Sequence, residues 1–300
     1  MKTSSRCLAA AALMLSLLVT GCSLLPATRK LPIPVAPAVE QTVTPEELVA
    51  RLNERWASLE SLNASVEIQA SIEKSKDGVA KDYPSIRGII LMLKPGMLRV
   101  YGRVPVIGTR AFDMVSDGKD FTLWIPQYNV AYKGSNTVKK KSANPLENLR
   151  PGSFLDALVV RGLEPEDEYM VTADSTTVED NLRKHLYIVP EYKLSIMRRK
   201  ADSLRKTPVR VVTFHRDDLL PYEQDIYDAE GNLETQVLYS AYKDYGTGIY
   251  PSSVVIKRPL EEAQVKLTVD KVAENPKNPP LTSDEFVLKL TPGTKIQSLE

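Results

Sequence analysis

Cysteine, histidine and charge of one sign are all scarce in this 300-residue chain, and each shortage excludes something. The two cysteines are Cys7 and Cys22. If Cys7 leaves with a leader, no intrachain disulfide remains to be made. The two histidines, His185 and His215, fall in strand-like stretches and lack a Cys or His partner at ligand spacing. No metal site is expected from them. There is no G-x-S-x-G elbow and no phosphate-binding glycine loop. Ser71-Ile72-Glu73-Lys74 matches S-x-x-K in letters, but on a strand residues three apart face opposite sides. Ser203-Leu204-Arg205-Lys206 matches too, in a polar segment with no apolar pocket to desolvate its lysine. The carboxylates are many and scattered. No enzymatic function, and no cofactor, is expected. The net charge is only +1, so no global field draws the chain to nucleic acid. The basic runs Lys139 to Lys141 and Arg198 to Lys200 have no interleaved aromatics. They read as solvated loops, or as contacts for anionic lipid head groups or an acidic partner.

Long apolar runs are missing as well. The longest, Leu8 to Thr20, is too short to span a bilayer. It follows the basic Lys2 and Arg6 and ends in Val19-Thr20-Gly21-Cys22, the pattern of a lipoprotein signal. Residues 1–21 are therefore expected to be removed. That takes two of the 39 basic residues and none of the 38 acidic ones, leaving a net charge of −1. Cys22 is then expected to carry a diacylglyceryl group and an N-acyl group, several chains anchoring where one would not. Ser23 rather than Asp follows it. By resemblance to enterobacterial lipoproteins, this favours a lipid-anchored place in the outer membrane, facing the periplasm. Residues 22–43 carry Pro26, Pro32, Pro34 and Pro37 and read as a semi-rigid tether.

Residues 44–300 read as one domain. Thr44-Pro45-Glu46-Glu47 is a helix start with a capping box, and Leu48, Leu52, Trp56 and Leu59 follow on one face. Asn63 to Glu73 and Ala263 to Lys271 alternate strictly, as half-buried strands do. Between them, Ser85 to Pro126 reads as four antiparallel strands: Ile86 to Leu93, Met97 to Tyr101, Thr109 to Ser116 and Phe121 to Ile125. The turns Lys94-Pro95-Gly96 and Asp117-Gly118-Lys119 and the loop Gly102 to Gly108 separate them. The first strand is apolar on both faces and needs cover on both sides. The second cover is expected to be a lipid chain as well as protein. Ser153 is placed as the cap of a short helix carrying Phe154, Leu155, Leu158 and Val159. A hairpin turn is expected at Asp228 to Asn232, and a closing strand at Thr282 to Leu290.

Gly88 to Arg99, with its Lys94-Pro95-Gly96, and Ser116-Asp117-Gly118-Lys119 followed by Phe121 to Pro126 resemble the LolA/LolB lipoprotein-carrier superfamily. Phe286 to Thr294, with Pro292-Gly293, resembles the family's last strand and exit. The resemblance implies an α+β fold, an incomplete, strongly curved antiparallel β-barrel with helices lidding an apolar cavity. It implies binding of lipid or lipoprotein acyl chains by a monomer at a membrane surface, with a periplasmic carrier protein as a partner. Ile90, Met92, Phe112, Met114, Leu123, Trp124, Phe154 and Leu158 are the expected cavity lining. Val106 and Ile107 occupy the place of the family's membrane-entering loop, and Lys94 that of a basic residue tied to lid closure. The alternative is a structural or stress-sensing lipoprotein that uses the same fold to bind a protein partner.

Overall fold

The computed structural model describes residues 40–74, 78–104, 106–136, 151–179, 185–199, 204–277 and 279–299. Cys22, the leader, residues 22–39 of the tether, Lys139 to Lys141 and Lys200 lie outside them. The chain forms two units. In the smaller, Met1–Ala36 with Thr177–Ile188, the described residues 177–179 and 186–188 are extended. The larger, Pro37–Thr176 with Val189–Glu300, holds the rest.

Helix α1, Pro45–Ser58, begins as the sequence dictates. The Thr44 hydroxyl accepts from Glu47 N at 3.2 Å, and Glu47 accepts from Thr44 N at 2.9 Å. Fifteen strands follow: β1 Ser61–Lys74, β2 Val79–Asp82, β3 Ile86–Leu93, β4 Met97–Arg103, β5 Arg110–Ser116, β6 Asp120–Ile125, β7 Val130–Ser135, β8 Asp167–Glu179, β9 Leu186–Arg199, β10 Lys206–His215, β11 Pro221–Tyr227, β12 Leu233–Asp244, β13 Ile249–Arg258, β14 Ala263–Glu274 and β15 Lys295–Leu299. Helix α2, Pro151–Leu158, lies between β7 and β8. It starts two residues ahead of Ser153, which is therefore inside the helix rather than its cap.

The strands make one curved sheet in the order β15-β7-β6-β5-β4-β3-β1-β14-β13-β12-β11-β10-β9-β8, with β2 beside β1. Among the described residues β15 and β8 do not pair, so the sheet is open rather than closed. The two most strictly alternating segments of the sequence are neighbours. Val66 faces Val269, Ile68 faces Leu267 and Ala70 faces Val265. Strands β3 to β6 form consecutive antiparallel pairs, as their tight turns require.

Two expectations about the C-terminus are corrected. Thr282 to Leu290 is not a strand. Thr282 and Glu285 form a capping box, which winds Ser283–Phe286 into a 3₁₀ turn. The last strand is β15 instead, and it lies parallel to β7, whereas the pairs from β7 across to β9 run antiparallel. Asn129 fixes it there. Its amide donates to Gly293 O at 3.1 Å, and its carbonyl oxygen accepts from the Thr291 and Thr294 hydroxyls at 3.0 and 2.9 Å.

The 3₁₀ turn also packs on the far side of β4, where Arg99 donates to Glu285 O at 2.6 Å. Leu91, Val115 and Phe286 are buried but belong to neither of the two main core clusters. The second face of β3 to β5 thus has a cover from the chain's own C-terminal segment.

Candidate functional site

The apolar interior divides into two clusters. One gathers Leu62, Ala64, Val66, Ile90, Met92, Leu98, Val100 and Met114 with β12 to β14 residues. The other gathers Leu48, Val49 and Leu52 of α1 with Leu194, Ile196, Val212, Phe214 and Leu219. Where they meet, packing stops and a cavity of about 450 Å³ opens, at the lower end of the usual range for ligand sites. Leu48 and Leu52 of α1 line one side of it. Leu158, Val159 and Val160, at and beyond the end of α2, form one wall; Phe214, Leu219 and Pro221 form another. Tyr239, Tyr242 and Tyr250 close it from β12 and β13.

The phenols orient rather than charge the site. Tyr242 donates to Pro221 O at 2.6 Å, and Gln224 donates to the Tyr239 hydroxyl at 3.3 Å and to Asp156 O at 2.7 Å. Burial pushes the pKa of all three tyrosines far up, so they stay neutral at any ordinary pH. The walls are mostly apolar, which suits a hydrocarbon, and Arg51, Arg55 and Asp218 add charged groups to the lining.

Helix α1 is tied down by polar clasps. Arg55 pairs with Glu274 at the end of β14, one bond measuring 2.8 Å, and lies 5.0 Å from the Tyr250 ring centre. The carboxylate beside it raises the Arg55 pKa. Asn275 donates to Ser58 O at 2.8 Å, and Asn53 accepts from Leu163 N at 2.8 Å. Lys94 donates to Trp56 O and lies 4.0 Å from that ring's centre. The turn before β4 therefore reaches the last turn of α1, whose Leu48 and Leu52 line the cavity.

The residues singled out from sequence fall in different places. Ile90, Met92 and Met114 are buried in the first cluster, and Phe112, Leu123 and Phe154 pack against it. Leu158 lines the cavity. Trp124 stands on the other face, opposite Asp113 rather than beside Leu123. Val106 and Ile107 form an exposed loop tip, 106 % and 72 % accessible. Leu52 was placed on the apolar face of α1, and Phe214, Leu219, Tyr239 and Tyr242 were not singled out. Each reads in sequence as ordinary core, and only their separation in the fold leaves a space among them.

No protein-family model matches the chain, and no curated protein does. Solved structures do. A LolA superfamily protein from Nitrosomonas europaea is 13 % identical, with a TM-score of 0.50 over 82 % of this chain and 99 % of that one. A DUF1329 family protein from Desulfovibrio piger is 12 % identical, with a TM-score of 0.49 over 80 % and 95 %. The first likeness shows the fold: this chain has the open sheet of the LolA superfamily.

Proposed function

We propose that this chain is a non-enzymatic lipid binder of the bacterial envelope, which takes an acyl chain of a lipid or lipoprotein into the cavity under α1. The observation that carries this reading is a mostly apolar hollow lined in part by Leu48 and Leu52 of a helix that polar clasps tie to β14 and to the turn before β4. Each methylene moved there from water contributes about 0.8 kcal/mol. Cargo enters as α1 lifts, breaking Arg55–Glu274 and Lys94–Trp56 contacts that re-form when it closes. The cavity is small, so a single chain is the natural occupant. The lipoprotein signal ending at Cys22 supports an acylated anchor, and the absence of Asp after it supports the outer membrane. The exposed Val106-Ile107 tip is the part that meets a bilayer, and a periplasmic carrier protein would bring the cargo.

Organic extraction of the purified chain, together with displacement of a fluorescent fatty acid by acylated lipoprotein, tests the reading. Co-extracted lipid and saturable displacement are expected, and Leu52→Trp should abolish both. A chain that yields no lipid and binds no fatty acid, yet crosslinks specifically to an envelope protein, would be a sensing or structural lipoprotein instead. For the tip, Ile107→Glu should stop delivery of cargo to liposomes without unfolding the chain.

A further inference from the structure

Away from the cavity, arginines stand in register across three neighbouring strands. Arg87 on β3 faces Arg103 on β4, and Arg103 faces Arg110 on β5. Gly88 and Gly102 point toward the core, where an added Cβ would meet Ile68 at 2.6 Å and Phe112 at 2.8 Å. Successive side chains alternate, so Arg87 and Arg103 project from the opposite face. Like charges directly opposite one another weaken a sheet, so this row runs against the fold's own interest. Arg110 has an internal use: it pairs with the buried Asp113, and its guanidinium lies 4.7 Å from the Tyr101 ring centre. Arg87 and Arg103 have none. Both are exposed, and among the described residues neither has a hydrogen-bond or ion-pair partner. Glu67 stands opposite Arg87 on β1, but its carboxylate takes the Ser85 hydroxyl.

The same β4–β5 hairpin ends in the exposed Val106 and Ile107. Val106 has a φ of 69°, in the left-handed region that β-branched residues rarely enter. Cations along the strands and aliphatic side chains at the tip are the two components of binding at a charged bilayer interface. We infer that this corner docks on an anionic phospholipid leaflet, with Arg87 and Arg103 on the phosphates and Ile107 in the acyl boundary. The inference rests on the membrane-facing tip proposed above and adds the lipid class. Charge decides the occupant: two unpaired guanidinium groups beside a two-residue aliphatic tip match a phosphate-covered surface, and the tip is too small for a protein-sized apolar contact.

The test is amide hydrogen exchange of the full chain reconstituted on phosphatidylcholine vesicles and on vesicles that also contain phosphatidylglycerol. Residues 106–110 should be protected about tenfold more strongly on the anionic vesicles. High salt should remove that difference, and so should Arg87→Gln with Arg103→Gln, the melting temperature staying close to that of the parent. Ile107→Glu should remove protection on both vesicle types. Equal protection of the parent chain on both lipids, or a difference that survives the double arginine change, overturns the inference. Ile107→Glu protected like the parent on phosphatidylcholine overturns the tip reading alone, and the lipid difference still decides the arginines. No protection on either vesicle overturns both and leaves the corner to a protein partner.

Discussion

Strands β3 to β5 bury Ile90, Met92, Leu98, Val100 and Met114 to 5 % exposure or less, each against its neighbours and β1. Strands β10 to β13, with α1 above them, use the same kinds of side chain and stop short of filling the space, leaving about 450 Å³. The difference lies in what covers each part. A sheet face closed by neighbouring strands and the body of α2 packs to completion. A face covered by one amphipathic helix packs where Leu48, Val49 and Leu52 meet β9 and β10 and is tied near the helix end by Arg55, Asn53 and the Trp56 and Ser58 carbonyls, and a space is left between that helix and β12 to β13.

The largest test removes packing from the filled part. Ile90→Ala should cost about 2–5 kcal/mol in chemical denaturation and leave fatty-acid affinity, measured below the transition, near its parent value. If affinity falls as steeply as stability, the two parts are not separate. Next is a matched pair of insertions. Val66→Phe should overpack the filled part and cost about 1–3 kcal/mol. Val160→Phe has a cavity to enter, so it should cost well under that and weaken fatty-acid binding at least tenfold. Equal penalties would mean that the hollow closes in solution. Smaller again is Arg55→Ala. This pair is partly exposed, so its loss should cost at most about 1 kcal/mol. Stopped-flow fatty-acid uptake should quicken if α1 is the gate and stay unchanged if it is not.

The smallest effects are in pH. In the filled part, Asp117 accepts from Lys119 N and Asp120 N, both at 2.8 Å, and these amides hold its pKa below the usual carboxylate range. The stabilisation is present above about pH 4 and lost as pH falls through the folded value, so Asp117→Ala and the parent should converge in acid. In the hollow part the shift has the opposite sign. Tyr239 and Tyr242 are raised by burial, so the folded state loses stability as pH climbs past about 10 and the unfolded chain ionises. A Tyr242→Phe chain should be less sensitive to alkali than the parent.

Much of the scaffold could be read from the residues in order. Local chemistry determines the Thr44 capping box, the hairpins from Ile86 to Ile125 and the alternation of β1 and β14, and local chemistry is what a sequence displays. The cavity could not be read in this way. Its walls come from α1, the end of α2 and β10 to β13, and each wall residue passes for core; empty space has no residue to mark it. The Arg55–Glu274 clasp joins positions with no periodic relation. Strand β15 was invisible for another reason. Lys295, Ile296, Gln297 and Ser298 are exposed, so the strand has no buried face to impose alternation, and its place depends on Asn129. The arginine row was likewise hidden, because the register that aligns Arg87, Arg103 and Arg110 is a property of the sheet.

Strand β1 sits between β3 and β14, so one flank is supplied by residues made just after it and the other by nearly the last to be made. A polypeptide made N-terminus first offers half of a finished surface, with one long row of peptide groups bare, until almost all of it has been made. The closing step is the return of β14 to β1.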